Sequence, residues 1–181
     1  MGLLKPVLIK CTIWRLIKIK VLGIDPGSTK QNPTGYAVID IEKDEVIDCG
    51  CIEPGKLKED KRLKKISKGF IEMLSKHDDI TFYSYENQYG PSGKSLKTIS
   101  QVIGAIRLAV FNKGILYYDS YTPNHIKKIV TGNGRANKQD VMDAIIEMYP
   151  ELNPEKITKD MSDAVAIAHT CKFHILKEKV S

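Results

Sequence analysis

Four carboxylates are spaced so that they can do chemistry together: Asp25, Glu86, Asp160 and Asp163. Asp25 closes the apolar run Val21-Leu22-Gly23-Ile24 and is followed at once by Pro26 and Gly27. Proline cannot supply a ladder N–H and glycine permits a sharp turn, so a strand should end here with the acid half buried at its tip. Glu86 closes a second run, in which Phe82, Ser84 and Glu86 share one face by the period of two. Asp160 and Asp163, three residues apart, share a face at the start of a helix that continues Ala164-Val165-Ala166-Ile167-Ala168 and is therefore packed rather than wetted. Gathered without compensation, such acids would repel one another and lose hydration at a cost of several kcal/mol. A hard divalent cation removes that cost, and all-oxygen ligation favours Mg²⁺ or Mn²⁺ over zinc. Two such ions about 4 Å apart can activate water and stabilise the leaving oxygen of a phosphodiester. Each acid also has a plain reading: Asp25 can begin an Asx turn, Asp160 can be an N-cap, and Asp163 can face a helix dipole. Convergence of all four is what separates the two readings.

The positive charge supports the first. The chain of 181 residues carries a formal charge of +6, which leans toward a polyanionic partner. Lys127 and Lys138 flank the loop Thr131-Gly132-Asn133-Gly134-Arg135-Ala136-Asn137, whose glycines let backbone N–H groups approach a phosphate. It is not a dinucleotide fingerprint, because Asn137 stands where a third glycine is needed and no strand leads into it. Lys61, Arg62, Lys64, Lys65 and Lys68 lie off an apolar helical stripe and read as a solvated face.

The elements that must position these groups follow from periodicity. Strands are predicted over Lys18–Asp25, Thr34–Ile41 and Glu45–Ile52, the last two separated by Lys43-Asp44, as an antiparallel meander. Ser28 to Pro33 is a polar loop able to reach over Asp25. A helix follows over Leu57–Lys76, then a strand over Ile80–Glu86. The helix Lys94–Asn112 carries a seam of Leu96, Ile99, Ile103, Ile106 and Val110, and its small Val102, Ala105 and Ala109 leave room for a second contact such as a partner subunit. Ile115–Asp119 is a further strand. Thr122 and Pro123 open a short helix that Gly132 stops, Asn137 caps a helix over Lys138–Met148, and a last helix starts at about Asp160. Strands followed by alternating strands and helices predict an α/β fold with helices packed on a mixed sheet.

Residues 18–178 are expected to form one domain, and residues 1–17, basic and apolar without an acid, an extension of unknown role. No run approaches the roughly 20 apolar residues needed to cross a bilayer. Cys11, Cys49, Cys51 and Cys171 fit neither a zinc ribbon nor a disulfide framework, which points to reduced thiols and a cytoplasmic location. His77, His125, His169 and His174 show no ligand spacing.

Gly23-Ile24-Asp25-Pro26-Gly27, Thr34-Gly35-Tyr36-Ala37-Val38, Glu86, Gly132-Asn133-Gly134-Arg135-Ala136-Asn137-Lys138 and Asp160-Met161-Ser162-Asp163-Ala164, in that order, resemble the RuvC family of Holliday junction resolvases. The resemblance covers nearly everything from Lys18 to about Cys171. It implies a ribonuclease H-like fold with a mixed five-stranded sheet, an antiparallel meander plus parallel strands, and helices on both faces. It further implies a homodimer and Mg²⁺-dependent paired nicks in opposed strands of a four-way DNA junction. Asp25, Glu86, Asp160 and Asp163 fall on the family's metal-binding catalytic acids, with two ions per site and Mn²⁺ as a substitute. Lys127 and Lys138 fall on basic residues acting near the scissile phosphate, with Arg135 as a further DNA contact, and Tyr89 on an aromatic that stacks at the junction centre. The loop Thr29–Pro33 is longer than is usual in the family, and residues 1–17 have no family counterpart. Two alternatives stand beside this expectation: a nuclease for branched DNA in general, such as three-way junctions or flaps, and a protein that binds branched DNA without cutting. The second is weakened by the acids, since carboxylates oppose phosphate binding. A branch-migration helicase partner cannot be read from the sequence.

Overall fold

The computed structural model describes residues 18–57, 59–87 and 93–180. Tyr89, Cys11 and the extension over residues 1–17 lie outside them.

β1 (Lys20–Asp25) is buried along almost its whole length because it is the central strand, covered on both faces. β2 (Thr34–Asp40) and β3 (Glu45–Ile52) extend it antiparallel to one side, with Asp44 taking the left-handed conformation, φ 57°, in the turn between them. The chain then crosses through α1 (Glu59–Leu74) to β4 (Phe82–Glu86), which pairs parallel with β1. It crosses again through α2 (Gly93–Phe111) to β5 (Leu116–Tyr121), parallel to β4. The strand order is β3-β2-β1-β4-β5, the mixed five-stranded sheet that the resemblance implies. Three helices complete the fold: α3 (Pro123–Thr131), α4 (Lys138–Met148) and α5 (Lys159–Val180).

Alternation along the strands divides the core in two. Leu22, Ile24 and Val38 pack with Ile66, Phe70 and Leu74 of α1 and Val102, Ile106 and Val110 of α2. Val21, Ala37 and Ile39 pack on the other face with Ile126, Val130, Val141, Ile145 and the small apolar run Ala164–Ala168 of α5. Each fully buried side chain of this size contributes about 1.5–3 kcal/mol, so both helical layers hold the sheet. Gly23 and Gly35 are what allow α5 to lie so close. A Cβ on Gly23 would stand 2.3 Å from Ala164 O, and one on Gly35 2.2 Å from Asp160 O.

The caps follow the sequence. Thr122 Oγ1 accepts from His125 N, Pro123 is the first helical residue, and Gly132 ends α3 in the left-handed region at φ 74°. Asn137 caps α4 in a reciprocal capping box with Asp140. At α5, however, the capping reading of Asp160 is overturned. Thr158 is the cap, its Oγ1 accepting from Met161 N at 3.3 Å and its carbonyl from Ser162 N at 2.9 Å. β5 also runs two residues beyond the expected Asp119, because Glu86 pairs with Tyr121. No helix among the described residues is long and apolar enough to cross a membrane.

Candidate active site

Parity explains why the acids meet. Val21 and Gly23 face α5, so Asp25, two residues on, faces it as well; Phe82 belongs to the same side of β4, so Glu86 does too. The parallel register Ile24↔Tyr85 sets Asp25 and Glu86 side by side on strands about 4.8 Å apart. The head of α5, held down at Gly23 and Gly35, brings Asp163 over them.

Together Asp25, Glu86 and Asp163 line a cleft of about 280 Å³ with Lys127, Lys138 and Asn32. Pro123, Ile126 and Val141 supply an apolar wall. Lys138 Nζ donates to Asp163 Oδ2 at 2.7 Å. The loop that carries Asn32 is closed by Thr29 N donating to Asn32 O at 3.0 Å, and Thr34 Oγ1 donates to Gly27 O at 2.6 Å. The polar loop expected to reach over Asp25 thus does so through Asn32. Asp160 does not line the cleft; it sits one helical turn before Asp163, half-buried at the rim.

The electrostatics are those of crowded acids. Asp25 is only 6% exposed. Burial first, and then the charges of Glu86, Asp163 and Asp160, push its carboxyl well above the usual range against the pull of Lys138. Glu86 is pushed up to about 7, again by burial first and then by Asp163, with Lys138 and Lys127 opposing. Asp160 is raised by burial, opposed by Lys138 and assisted by Asp163. Burial disfavours the charge on Lys138, but the hydrogen bond and charge of Asp163, followed by Asp25 and Asp160, outweigh it and raise its pKa.

Three carboxylates in the cleft, with Asp160 beside them, therefore face two ammonium groups, and the excess negative charge is what a divalent cation would neutralise. Among the described residues no three His, Cys, Asp or Glu side chains are grouped tightly enough to hold an ion as they stand. The donor set nevertheless fits a hard cation: all-oxygen, partly desolvated and only in part compensated by Lys138 and Lys127.

Several groups stand elsewhere. Arg135 is not brought to the cleft but lines a separate concavity. None of the four histidines lines the cleft. His77 Nε2 pairs with Asp48 at 2.8 Å, and Tyr149 Oη with His169 Nδ1 at 2.9 Å. His125 and His174 meet Nε2 to Nε2 at 2.8 Å, tying α3 to α5. Sequence spacing had no means of finding that pair, since 49 residues separate its members.

The mixed sheet, with acids at the ends of two adjacent parallel strands and at the head of the helix that crosses them, defines a ribonuclease H-like α/β protein with an acidic cleft. A family model described as Crossover junction endodeoxyribonuclease RuvC matches residues 21–171. The chain belongs to the RuvC family. It is 35% identical over 156 residues to the Crossover junction endodeoxyribonuclease RuvC of Prochlorococcus marinus strain MIT 9312, covering 84% of this chain and 95% of the relative. The corresponding protein of Afipia carboxidovorans is 32% identical over 159 residues, covering 86% and 90%. Among solved structures, T. thermophilus RuvC in complex with Holliday junction substrate aligns with a TM-score of 0.77 at 23% identity over 89% of this chain and 97% of that one. The yeast mitochondrial Holliday junction resolvase Ydc2 aligns at 0.59 and 14% identity, over 91% and 85%. Both structural likenesses bear on the fold.

Proposed function

We propose that this chain resolves Holliday junctions by metal-dependent nicking of two opposed strands, and that residues 18–178 form the nuclease unit. The observation that carries the reading is the cleft itself: Asp25 and Glu86 side by side with Asp163 and two lysines, in a member of the RuvC family.

Asp25, Glu86, Asp160 and Asp163 would hold the cation, Mg²⁺ by the hardness of its donors, with Mn²⁺ as a substitute and two ions per site. When bound, it supplies Lewis-acid activation of water and charge stabilisation at the phosphodiester. The chain's own residues do the rest. Lys127 and Lys138 bring positive charge to the scissile phosphate. Lys138, kept protonated by Asp163, presents Nζ to the charge that develops on the leaving oxygen. Pro123, Ile126 and Val141 exclude bulk water from one wall, which strengthens each electrostatic contact inside.

Paired nicks call for two sites related by symmetry. Leu96, Leu108 and Phe111 of α2 and Tyr117 on the α2 side of β5 are exposed, Phe111 to 77%, and a second copy of the chain is the occupant we assign to this face. The free thiols Cys49, Cys51 and Cys171 suit a reducing, cytoplasmic compartment.

Purified protein incubated with a synthetic four-way junction and Mg²⁺ should give paired nicks, and Asp25→Asn should abolish them. No nicking by the wild type, or equal nicking by Asp25→Asn, overturns the reading. Equal rates on three-way junctions and flaps would replace it with a nuclease for branched DNA in general.

A further inference from the structure

Next to the cleft lies a second, open concavity of about 770 Å³, whose lining includes Asn124, His125, Lys128, Asn133, Gly134 and Arg135 and no acid. Lys128 and Arg135 are exposed, and among the described residues neither is ion-paired with a carboxylate. The loop between them is fixed in advance by its own hydrogen bonds. Asn133 N donates to Thr131 Oγ1 at 3.2 Å, Arg135 N to Asn133 Oδ1 at 3.0 Å and Ala136 N to Asn133 O at 3.0 Å. The Gly134 N–H is left without a hydrogen-bond partner among the described residues. His125 is anchored from behind through its contact with His174. A concave, acid-free surface with two unpaired cations and a spare backbone donor is built for an anion of phosphate type.

Its relation to the cleft says which phosphate. Lys127 and Lys128 are consecutive on α3, with Cα atoms about 3.8 Å apart and side chains turned by about 100°. Lys127 lines the cleft and Lys128 the concavity. Likewise Lys138 lines the cleft and Arg135, three residues earlier, the concavity. The end of α3 and the loop after it thus form a ridge between two basic hollows. A nucleic-acid strand carries a charge roughly every 3.4 Å of helix axis, so a strand lying across this ridge offers phosphates to both. We propose that the concavity is a second phosphate seat, holding a backbone phosphate that flanks the scissile one through Lys128, Arg135 and the Gly134 N–H. The inference rests on the junction-cleaving reading for its substrate, not for its chemistry.

The test is the salt dependence of binding to a fluorescent four-way junction and to a plain duplex, both in EDTA so that nothing is cut. Each phosphate neutralised contributes about 0.9 to the slope of log affinity against log salt. K128Q/R135Q should lower the slope by about that amount, and each single variant by part of it. The double change should shrink the affinity loss between 50 and 200 mM salt by about 3.5-fold relative to wild type, as one phosphate implies. R135K should retain the slope, and K61Q/K64Q, which removes the same charge from the exposed face of α1, should leave it unchanged. A wild-type slope in K128Q/R135Q overturns the seat, as does an equal drop in K61Q/K64Q. If wild type fails to nick the junction, the cleavage reading falls, while the duplex slopes still decide the seat.

Discussion

Glu86→Gln should make the metal-free protein more stable at alkaline pH, although it removes a carboxylate from the cleft. A carboxyl lifted from 4.5 to about 7 keeps its proton in the folded state after the unfolded chain has lost its own. The folded state therefore binds more protons between those values, and stability falls as pH rises through that window and stays low above it. The difference corresponds to roughly 3 kcal/mol. Glu86 is only partly buried and water at the cleft mouth screens it, so we take half, about 1.5 kcal/mol. Glutamine has the same shape and no charge, and recovers that amount above pH 7 and none of it at pH 4. For a chain of this length the gain at pH 8 amounts to a rise in Tm of about 3–6 °C. Calorimetric melts of both proteins in EDTA at pH 4 and pH 8 measure it. Saturating Mg²⁺ should then stabilise the wild type more than the variant and close or reverse the gap. If Glu86→Gln melts lower than wild type at pH 8, or gains equally at both pH values, the account of crowded, desolvated acids is wrong.

The other predictions concern what holds the cleft. Gly23→Ala puts a methyl against the backbone of α5, which cannot yield, and should cost about 3 kcal/mol, read as a lower urea midpoint. Asn137→Ala removes the cap and half of the capping box of α4 and should cost about 1 kcal/mol. Because Lys138 follows the cap directly, nicking should fall by more than the small change in folded fraction accounts for. Phe111→Glu places a charge on the exposed face of α2 and should convert a dimer to a monomer by light scattering, with single nicks replacing paired ones.

The strand-borne acids were legible because a strand has a strict period of two and strand breakers mark its end; Asp25 before Pro26-Gly27 needed nothing more. The caps Thr122 and Asn137 were legible for a related reason, since each is a local contact within three residues. Asp160 shows the edge of that method. Thr158 and Asp160 are both residues that cap helices, and only the seating of α5 on Gly35 decides that the helix starts after Thr158 and turns Asp160 toward the rim. Arg135 was read as a DNA contact apart from the residues at the scissile phosphate, and the turn of the loop that puts it in the neighbouring hollow is not visible in its spacing from Lys127 and Lys138. The contact of His125 with His174 and the entry of Asn32 into the cleft depend on tertiary packing, which leaves no trace in local spacing.

The seam of Gly23, Gly35, Ala164 and Ala168 bears on the proposed site as well as on packing. Two of the acids ride on the sheet and two on α5, and the seam lies between those two carriers beneath the cleft. It acts as a spacer gauge: its lack of side-chain bulk sets how far the sheet pair stands from the helix pair, and with it the separation available to any ions they share. Such a site can be detuned without touching a single carboxylate, by one methyl group inserted a turn or two below it.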